Sequence, residues 1–157
     1  MDKMERAAQV YQMIKSYLNS KNCRYDPHDD DKVITMTAQG DDLPMPALIR
    51  VIGEREVLHI ASPILASKFP EDKRVDAAVA LAAINCRIMN GNFDLDLDSG
   101  LVTYRVCQSF HDNDVSEEQI HYLLAIVFIT TDEYNDTIFM LAKGAMSLEQ
   151  VLEKAKK

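Results

Sequence analysis

A strict alternation of apolar and polar residues around position 95 places the strongest constraint on how this chain can fold. Phe93, Leu95 and Leu97 are separated from one another by single acidic residues. This period of two is typical of a β-strand that covers one face and leaves the other in water. A return strand over residues 102–108 follows a turn at 98–100, so the segment predicts an antiparallel hairpin with one buried face.

The side chains of this hairpin also indicate how its two strands pair. The apolar residues all share one face when the opposed pairs are Leu97 with Val102, Leu95 with Tyr104, and Phe93 with Val106. The same pairing sets Asp94 opposite Arg105 and Asp96 opposite Thr103 on the face that meets water. We predict this register, because a slip by one residue would bury the carboxylates.

Helical periodicity and turn residues predict the remaining elements in the order α-β-β-β-α-β-β-α-α. Their expected extents are a first helix ending near 19, strands over 33–38, 47–52 and 57–61, a helix from 70 to 90, the hairpin, a long helix between Ser116 and Gly144, and a short helix after Ser147. This order predicts an α+β fold, with one antiparallel sheet and helices mainly on one face. The length is close to one typical domain, so residues 1–157 are expected to form a single domain.

The helix that starts at Pro70 has a predicted orientation. The apolar residues that recur at helical spacing along it are Val75, Ala78, Val79, Ala82 and Ile88. Because most of these side chains are small, we predict that this side of the helix lies close against the sheet.

Charge and cysteine content disfavour several partners and environments. The net charge is −8, from 17 basic and 25 acidic residues, and an acidic chain is a poor match for nucleic acid phosphates. No basic cluster accompanies a strong apolar stripe, so a membrane surface is not an expected partner either. The charged N-terminus does not resemble a secretory signal, and three scattered cysteines favour a reducing cytoplasm.

The long helix after Ser116 carries more apolar residues than one buried face requires. Leu123, Ile126 and Ile129 fall outside its main apolar stripe. One apolar side is expected to cover the sheet, and the other to meet the terminal helix, a second subunit or a client protein, unless both are buried within the monomer. The leading hypothesis is a non-enzymatic protein-interaction domain, homodimeric, with a regulatory or chaperone-like role, in which these three residues contact the partner.

An acidic loop supports an alternative hypothesis. Asp26, Asp29 and Asp31 lie close together in the sequence, with His28 among them. Carboxylates and an imidazole suit divalent metals, so the alternative is a divalent-cation or small-ligand sensor that uses this loop. Neighbouring aspartates in a proline-containing loop are also typical of ordinary solvated turns. The sequence predicts no resident cofactor.

Motifs of known catalytic sites are absent from the sequence. The chain has no GxSxG, no HExxH and no glycine-rich phosphate loop. A catalytic site assembled from distant residues would draw first on Cys107, His111 and His59. None of the histidines stands beside a nucleophile or a second ligand at a useful helical spacing, so we expect no enzymatic activity.

Several segments together resemble the YbjN family of bacterial proteins. They are Phe69-Pro70-Glu71-Asp72-Lys73-Arg74, Ala82-Ala83-Ile84-Asn85, Asn92-Phe93-Asp94-Leu95-Asp96, Asp98-Ser99-Gly100 and Val102-Thr103-Tyr104-Arg105. The order of elements also resembles the fold of type III secretion chaperones. The sequence departs from the family pattern at Ser99, in the acidic loop, and after Gly144.

The resemblance implies a regulator of sensory transduction. The fold that it implies is associated with dimers that bind extended segments of partner proteins. No catalytic residue is carried over. The positions that match the family pattern are Asn85, Asn92, Asp98, Gly100 and Arg105, and roles in a helix end, a hairpin or a turn would account for them.

Overall fold

The computed structural model describes all residues from 1 to 157. Its strands are β1 (Asp26–His28), β2 (Val33–Gln39), β3 (Pro44–Ile52), β4 (Val57–Pro63), β5 (Asn92–Leu95) and β6 (Val102–Ser109). Its helices are α1 (Lys3–Ser20), α2 (Arg74–Asn85), α3 (Glu117–Lys143) and α4 (Leu148–Ala155). The strands form one antiparallel sheet of six in the order β1-β2-β3-β4-β6-β5, which confirms the predicted α+β class.

The ends of the two long helices follow from their local sequence. Asp2 caps α1 by accepting hydrogen bonds from the backbone N–H groups of Met4 and Glu5. Ser116 and Gln119 form a reciprocal capping box at the start of α3, which confirms Ser116 as the predicted start of this helix. Gly144 adopts a φ of 75° after the last turn of α3, a left-handed conformation that glycine reaches without steric cost.

All four helices lie over one face of the sheet or over one another. The core beneath them is one cluster of 31 buried residues drawn from every helix and from all strands except β1. α3 lies against the central strands β4 and β6 and also against α1, while α2 packs on β5 and α4. The opposite face of the sheet has no helix over it, and we call it the open face.

The register of the β5–β6 hairpin differs from the prediction by two residues. Phe93 lies opposite Tyr104, and Leu95 lies opposite Val102. The shift arises because Asp96 accepts hydrogen bonds from the Asp98 N–H and from the Ser99 hydroxyl, so the chain turns directly after Leu95. A slip of two residues keeps the paired side chains on their predicted faces, while Asp96 and Leu97 fall beyond the end of β5, with Leu97 exposed to solvent.

The predicted buried face of α2 is wrong, although Ile88, which lies beyond the end of the helix, packs partly buried against the core. Val75, Ala78, Val79 and Ala82 all face solvent, and the side chains that enter the core are Ala77, Ala80, Leu81 and Ile84. Both sides of this helix are apolar, so periodicity alone does not select one. Arg74 contributes to the choice, because its guanidinium donates to the backbone oxygens of Phe69 and Leu97 and so holds the start of the helix in place.

The segment Asp26–His28, predicted as part of a loop, is the edge strand β1. It pairs with the first three residues of β2, where Asp26 lies opposite Thr35 and His28 opposite Val33. Because β1 is only three residues long, the outer edge of β2 is covered over 33–35 and is free over 36–39. We call residues 36–39 the open edge.

Candidate protein-binding surfaces

The open edge presents backbone groups that no strand uses. The Val51 N–H donates to the Lys32 oxygen at 3.0 Å, and Val33 lies opposite Arg50. This pattern shows that the backbone N–H and C=O of Val33 do not bond to β3. Hydrogen-bonded and non-hydrogen-bonded residues alternate along an antiparallel pair, so Thr37, four residues further on, is also a non-hydrogen-bonded position. The N–H and C=O of Thr37 therefore point outward, which leaves a donor and an acceptor for an added strand.

A groove runs beside the open edge. It has a volume of about 630 Å³ and is lined by the segment 24–26 on one side and by residues of β2, β3 and β4 on the other. Thr37, Pro46, Leu48 and Pro63 are among the lining side chains on the open face. The Tyr25 hydroxyl donates to Asn19 Oδ1 at 3.0 Å, which fixes one wall of the groove to the end of α1.

The opposite edge of the sheet is closed by a single side chain. The Asn85 carboxamide donates to the Phe93 oxygen at 3.0 Å and accepts from the Phe93 N–H at 2.8 Å. These two bonds occupy the outward backbone groups of β5 in the way that a neighbouring strand would. The open edge of β2 is thus available, whereas the edge of β5 at Phe93 is not.

The outer side of α2 forms a second uncovered surface, which we call the α2 stripe. It consists of Val75, Ala78, Val79 and Ala82, and Val75 is 74% exposed. These positions recur at i, i+3, i+4 and i+7, so they form a continuous apolar ridge along the helix. No residue of this chain covers the ridge.

The predicted partner contacts on α3 lie in three different environments. Leu123 is 2% exposed and belongs to the core, so it does not present a surface to a partner. Ile126 is half-buried, and Ile129 is 67% exposed. The second apolar side of α3 is largely explained within the chain, because α1 packs against it and the Tyr17 hydroxyl lies 2.6 Å from His121 Nδ1.

The acidic residues predicted as the alternative metal site do not converge. Asp26 lies in β1, and Asp29 accepts a hydrogen bond from Lys15 Nζ at 2.9 Å. That hydrogen bond, together with one from Tyr11, lowers the pKa of Asp29 below its usual range. Asp31 makes no side-chain bond to either of them, and nowhere in the chain do three His, Cys, Asp or Glu side chains lie close enough to hold a metal ion.

The three residues named for an unrecognised enzyme divide between two places. His59 and Cys107 lie directly opposite each other on β4 and β6, on the open face. Burial, with smaller contributions from Arg105 and Arg50, lowers the pKa of His59 and favours its neutral form. His111 lies apart from this pair, beside the carboxylate of Glu56.

Sequence reasoning missed a charged cluster at Glu56. Glu56 lies between the 3-10 turn Gly53–Arg55 and β4, and its backbone is left-handed. Its buried carboxylate lies 2.6 Å from His111 Nδ1 and 3.2 Å from the Arg6 guanidinium. The hydrogen bond to His111 lowers the pKa of Glu56, and the charges of Lys3 and Arg6 add to this effect. The cluster joins α1 to two loops, which is a structural role.

The structure gives local roles to most of the positions that match the family pattern. Asn85 closes the β5 edge, and Arg105 pairs with Asp94 across the hairpin. Gly100 has a φ of 77°, and an added Cβ would collide with the backbone oxygen of Phe69. Asn92 donates to Asp94 at 2.5 Å. These residues build the α2–hairpin unit.

The fold places the chain in the class of type III secretion chaperone-like α+β proteins. The ExsC–ExsE complex matches it with a TM-score of 0.63 at 14% sequence identity, over 88% of this chain and 97% of that chain. The HopA1–SchA chaperone–effector complex matches it with a TM-score of 0.55 at 15% identity, over 87% of this chain and 96% of that chain. At such identities the likeness establishes the shared fold alone.

Within that class, the chain belongs to the YbjN family. The model of this family, described as a putative bacterial sensory transduction regulator, matches residues 11–140. The crystal structure of YbjN from E. coli, a putative transcription regulator, has a TM-score of 0.55 at 14% identity, over 86% of this chain and 89% of that chain. No curated protein matches the chain, and none of its helices is both long and apolar enough to cross a membrane.

Proposed function

We propose that this protein is a non-enzymatic regulator or chaperone that binds an extended segment of a partner protein at the open edge of β2. The observation that carries the proposal is the outward-facing N–H and C=O of Thr37 beside a partly apolar groove. An extended peptide that adds to a free edge gains affinity from main-chain hydrogen bonds and specificity from pockets for alternate side chains.

Two of the similar structures lend support to this reading. One is a complex of ExsC with ExsE, and the other is a complex of a chaperone with an effector. Pro44 and Pro46 on β3 lend further support, because their rings fix the backbone φ of the strand that lies beside β2. An incoming strand would therefore meet a firm, preformed wall.

The edge can be blocked without disturbing the sheet. Thr37→Pro removes the outward N–H of Thr37, and this N–H makes no bond to β3, so the β2–β3 ladder stays intact. Thr37→Val is the matched control, because it keeps the backbone donor and the shape of the side chain. Far-UV circular dichroism and thermal unfolding would verify that both variants fold.

The test compares partners captured from lysate of the source cell by the wild type and by both variants. A partner retained by the wild type and by Thr37→Val, but lost by Thr37→Pro, is the expected result. A partner that Thr37→Pro retains equally well would refute the edge as the binding site. Failure of the wild type to retain any partner would count against the protein-binding role itself.

We further propose that two copies associate through the α2 stripe. A ridge that meets its own copy about a two-fold axis makes a self-complementary contact, and the alanines at 78 and 82 allow two helices to approach closely. Light scattering should give a dimer for the wild type and a monomer for Val79→Asp. Ile129→Asp, on α3, is the matched control and should remain dimeric, whereas a monomeric wild type would refute the proposal.

Ile126 and Ile129 remain the proposed contacts on α3 for a partner or client. Ile129 stands free in solvent, and Ile126 flanks it one turn earlier. The same capture experiment with Ile129→Asp tests this contact independently of dimerisation. The free cysteines, two of them exposed, are consistent with the cytoplasm, where we propose that the protein acts.

A further inference from the structure

A separate cavity lies where β3 begins and β4 ends, against the middle of α3. Its volume is about 300 Å³, at the lower end of the range for small-molecule sites. The walls come from the segments 43–46 and 63–66, with Thr37 at one side. Thr131 and Asn135 of α3 also line it.

The two α3 residues carry polar atoms that the protein leaves unpaired. Asn135 is 1% exposed, and neither its side-chain nitrogen nor its side-chain oxygen has a hydrogen-bond partner. Thr131 is 2% exposed, and its hydroxyl also has none. By contrast, Thr137 on the same helix accepts a hydrogen bond from Lys154 Nζ at 2.7 Å.

Such unpaired atoms require an explanation, because a buried polar group without a partner destabilises the fold. Thr131 and Asn135 are four residues apart in α3, so they lie on the same side of the helix. Both contribute to the wall of the same cavity. A molecule that entered the cavity would lie against the two residues that carry these unpaired atoms.

The lining defines the chemistry of the occupant. No ionisable side chain and no aromatic ring lies among the lining residues. A charged ligand would therefore lose its solvation without gaining a counter-charge, and a flat aromatic ligand would find no stacking partner. The carboxamide of Asn135 offers a donor beside an acceptor, which matches another carboxamide or a lactam.

The cavity is also held in shape before anything binds. Three of its wall residues are prolines, namely Pro44, Pro46 and Pro63. The adjoining loop is tied to α3, because the Asp41 N–H donates to Asp132 Oδ1 at 3.0 Å. A preformed wall reduces the entropy that is lost on binding.

We propose that this cavity binds a neutral, mainly aliphatic small molecule that carries a carboxamide or lactam group, and that Asn135 and Thr131 recognise that group. The carboxamide edge of the ligand pairs with Asn135 through one donated and one accepted hydrogen bond. Its aliphatic body occupies the space between the segments 43–46 and 63–66.

The probe for the test is cyclohexanecarboxamide. Cyclohexyl methyl ketone, which lacks the N–H donor, and cyclohexanecarboxylate, which is charged, are its matched controls. A ligand of this size is expected to bind with a dissociation constant on the order of millimolar. Titration of the ¹⁵N-labelled wild type, followed through the side-chain amide signal of Asn135, should give saturable shifts with the amide and at least about tenfold weaker binding of either control.

Two variants complete the experiment. Asn135→Leu should abolish binding of the amide and raise the melting temperature of the free protein, because it removes two unpaired buried atoms and keeps the volume. Thr131→Val should weaken binding and leave the fold intact. If Asn135→Leu does not fold, the comparison of the amide with its two controls on the wild-type protein still tests the proposal.

Several outcomes would overturn the proposal. They are equal binding of the amide and the ketone, no binding of any probe at tens of millimolar, unchanged binding in Asn135→Leu, and a water molecule that pairs with Asn135 and is not displaced by the amide. Binding of an aliphatic peptide amide in place of the small probe would also overturn it, since the cavity would then belong to a protein partner.

Discussion

Asn85 offers the sharpest test of how the sheet is closed at β5. Its carboxamide both donates to and accepts from the backbone of Phe93, at 3.0 and 2.8 Å. Asn85→Asp keeps the size and the acceptor but replaces the donor by a second acceptor, which then faces the Phe93 oxygen. Asn85→Ala removes both hydrogen bonds and serves as the comparison.

The magnitude follows from these two bonds. Each contributes a net stability of roughly 0.5–1.5 kcal/mol, so Asn85→Ala should cost about 1–3 kcal/mol. Asn85→Asp leaves the Phe93 oxygen unpaired beside a carboxylate, and we expect a loss of about 2–3 kcal/mol near neutral pH. For a chain of this size, that corresponds to a fall in melting temperature of roughly 4–12 °C.

The pH dependence distinguishes the donor from other effects of the substitution. A protonated aspartic acid again has one donor and one acceptor, so folding should raise the pKa of the new carboxyl group. Its stabilising contribution is then present below the ordinary pKa of about 4 and is lost as the pH rises through the folded value. The deficit of Asn85→Asp should therefore shrink in acid, whereas that of Asn85→Ala should not.

Urea unfolding followed by far-UV circular dichroism measures each free energy, and the slope reports any change in the denatured state. The reasoning would be refuted by an Asn85→Asp variant within about 0.5 kcal/mol of the wild type near neutral pH, which is the scatter of surface substitutions. If the loss of stability in Asn85→Asp did not change with pH, only the role of the Asn85 N–H as a hydrogen-bond donor would be refuted.

Two further predictions concern the Glu56 cluster and the turn at Gly100. His111 lowers the pKa of Glu56, so the ionised carboxylate stabilises the fold at pH values above its ordinary pKa, and this stabilisation is lost as the pH falls through the lowered pKa of the folded protein. Glu56→Gln should therefore lower the melting temperature near neutral pH, and the difference in melting temperature from the wild type should close below about pH 4. A gap of constant size would contradict this. Gly100→Ala should cost about 2–5 kcal/mol by urea unfolding, because it combines a left-handed φ with a collision at Phe69. The control Gly144→Ala meets only the flexible end of Lys73 and should cost about 1–2 kcal/mol; equal losses in the two variants would contradict the collision.

Local signals in the sequence were sufficient to predict the helices at both ends of the core. Ser116 and Gly144 bound α3 as expected, and Ala7, Tyr11 and Leu18 are buried on α1. Capping and helical periodicity depend only on residues that are close together in the chain, so they can be recognised in the sequence. The alternation in the hairpin likewise assigned each side chain to its face.

The errors arose where two arrangements satisfy the same pattern. Registers that differ by two residues place the same side chains on the same faces, and only the hydrogen bonds of Asp96 with the turn separate them. On α2 both sides are apolar, so periodicity does not indicate which side is buried. The hydrogen bonds of Arg74 to Phe69 and Leu97 contribute to that choice. The three-residue strand β1 is too short to show any period.

The candidate surfaces were the least predictable part of the molecule. The open edge exists because β1 begins only at Asp26, opposite Thr35, while β2 continues to Gln39, which is a difference of strand lengths and not a motif. Asn135 is a polar residue in a long helix, and such residues usually face solvent. Its burial depends on how α3 crosses the ends of β3 and β4, and no pattern around it in the sequence signals this.

Thr37, Pro46 and Pro63 line both the groove at the open edge and the cavity beside α3. The two spaces are therefore separated by the thickness of a side chain. A metabolite lodged on one side would alter the contour that an incoming strand meets on the other, with no hinge and no rearrangement of domains. Three shared residues of this kind would be enough to make the capture of a partner conditional on a bound small molecule.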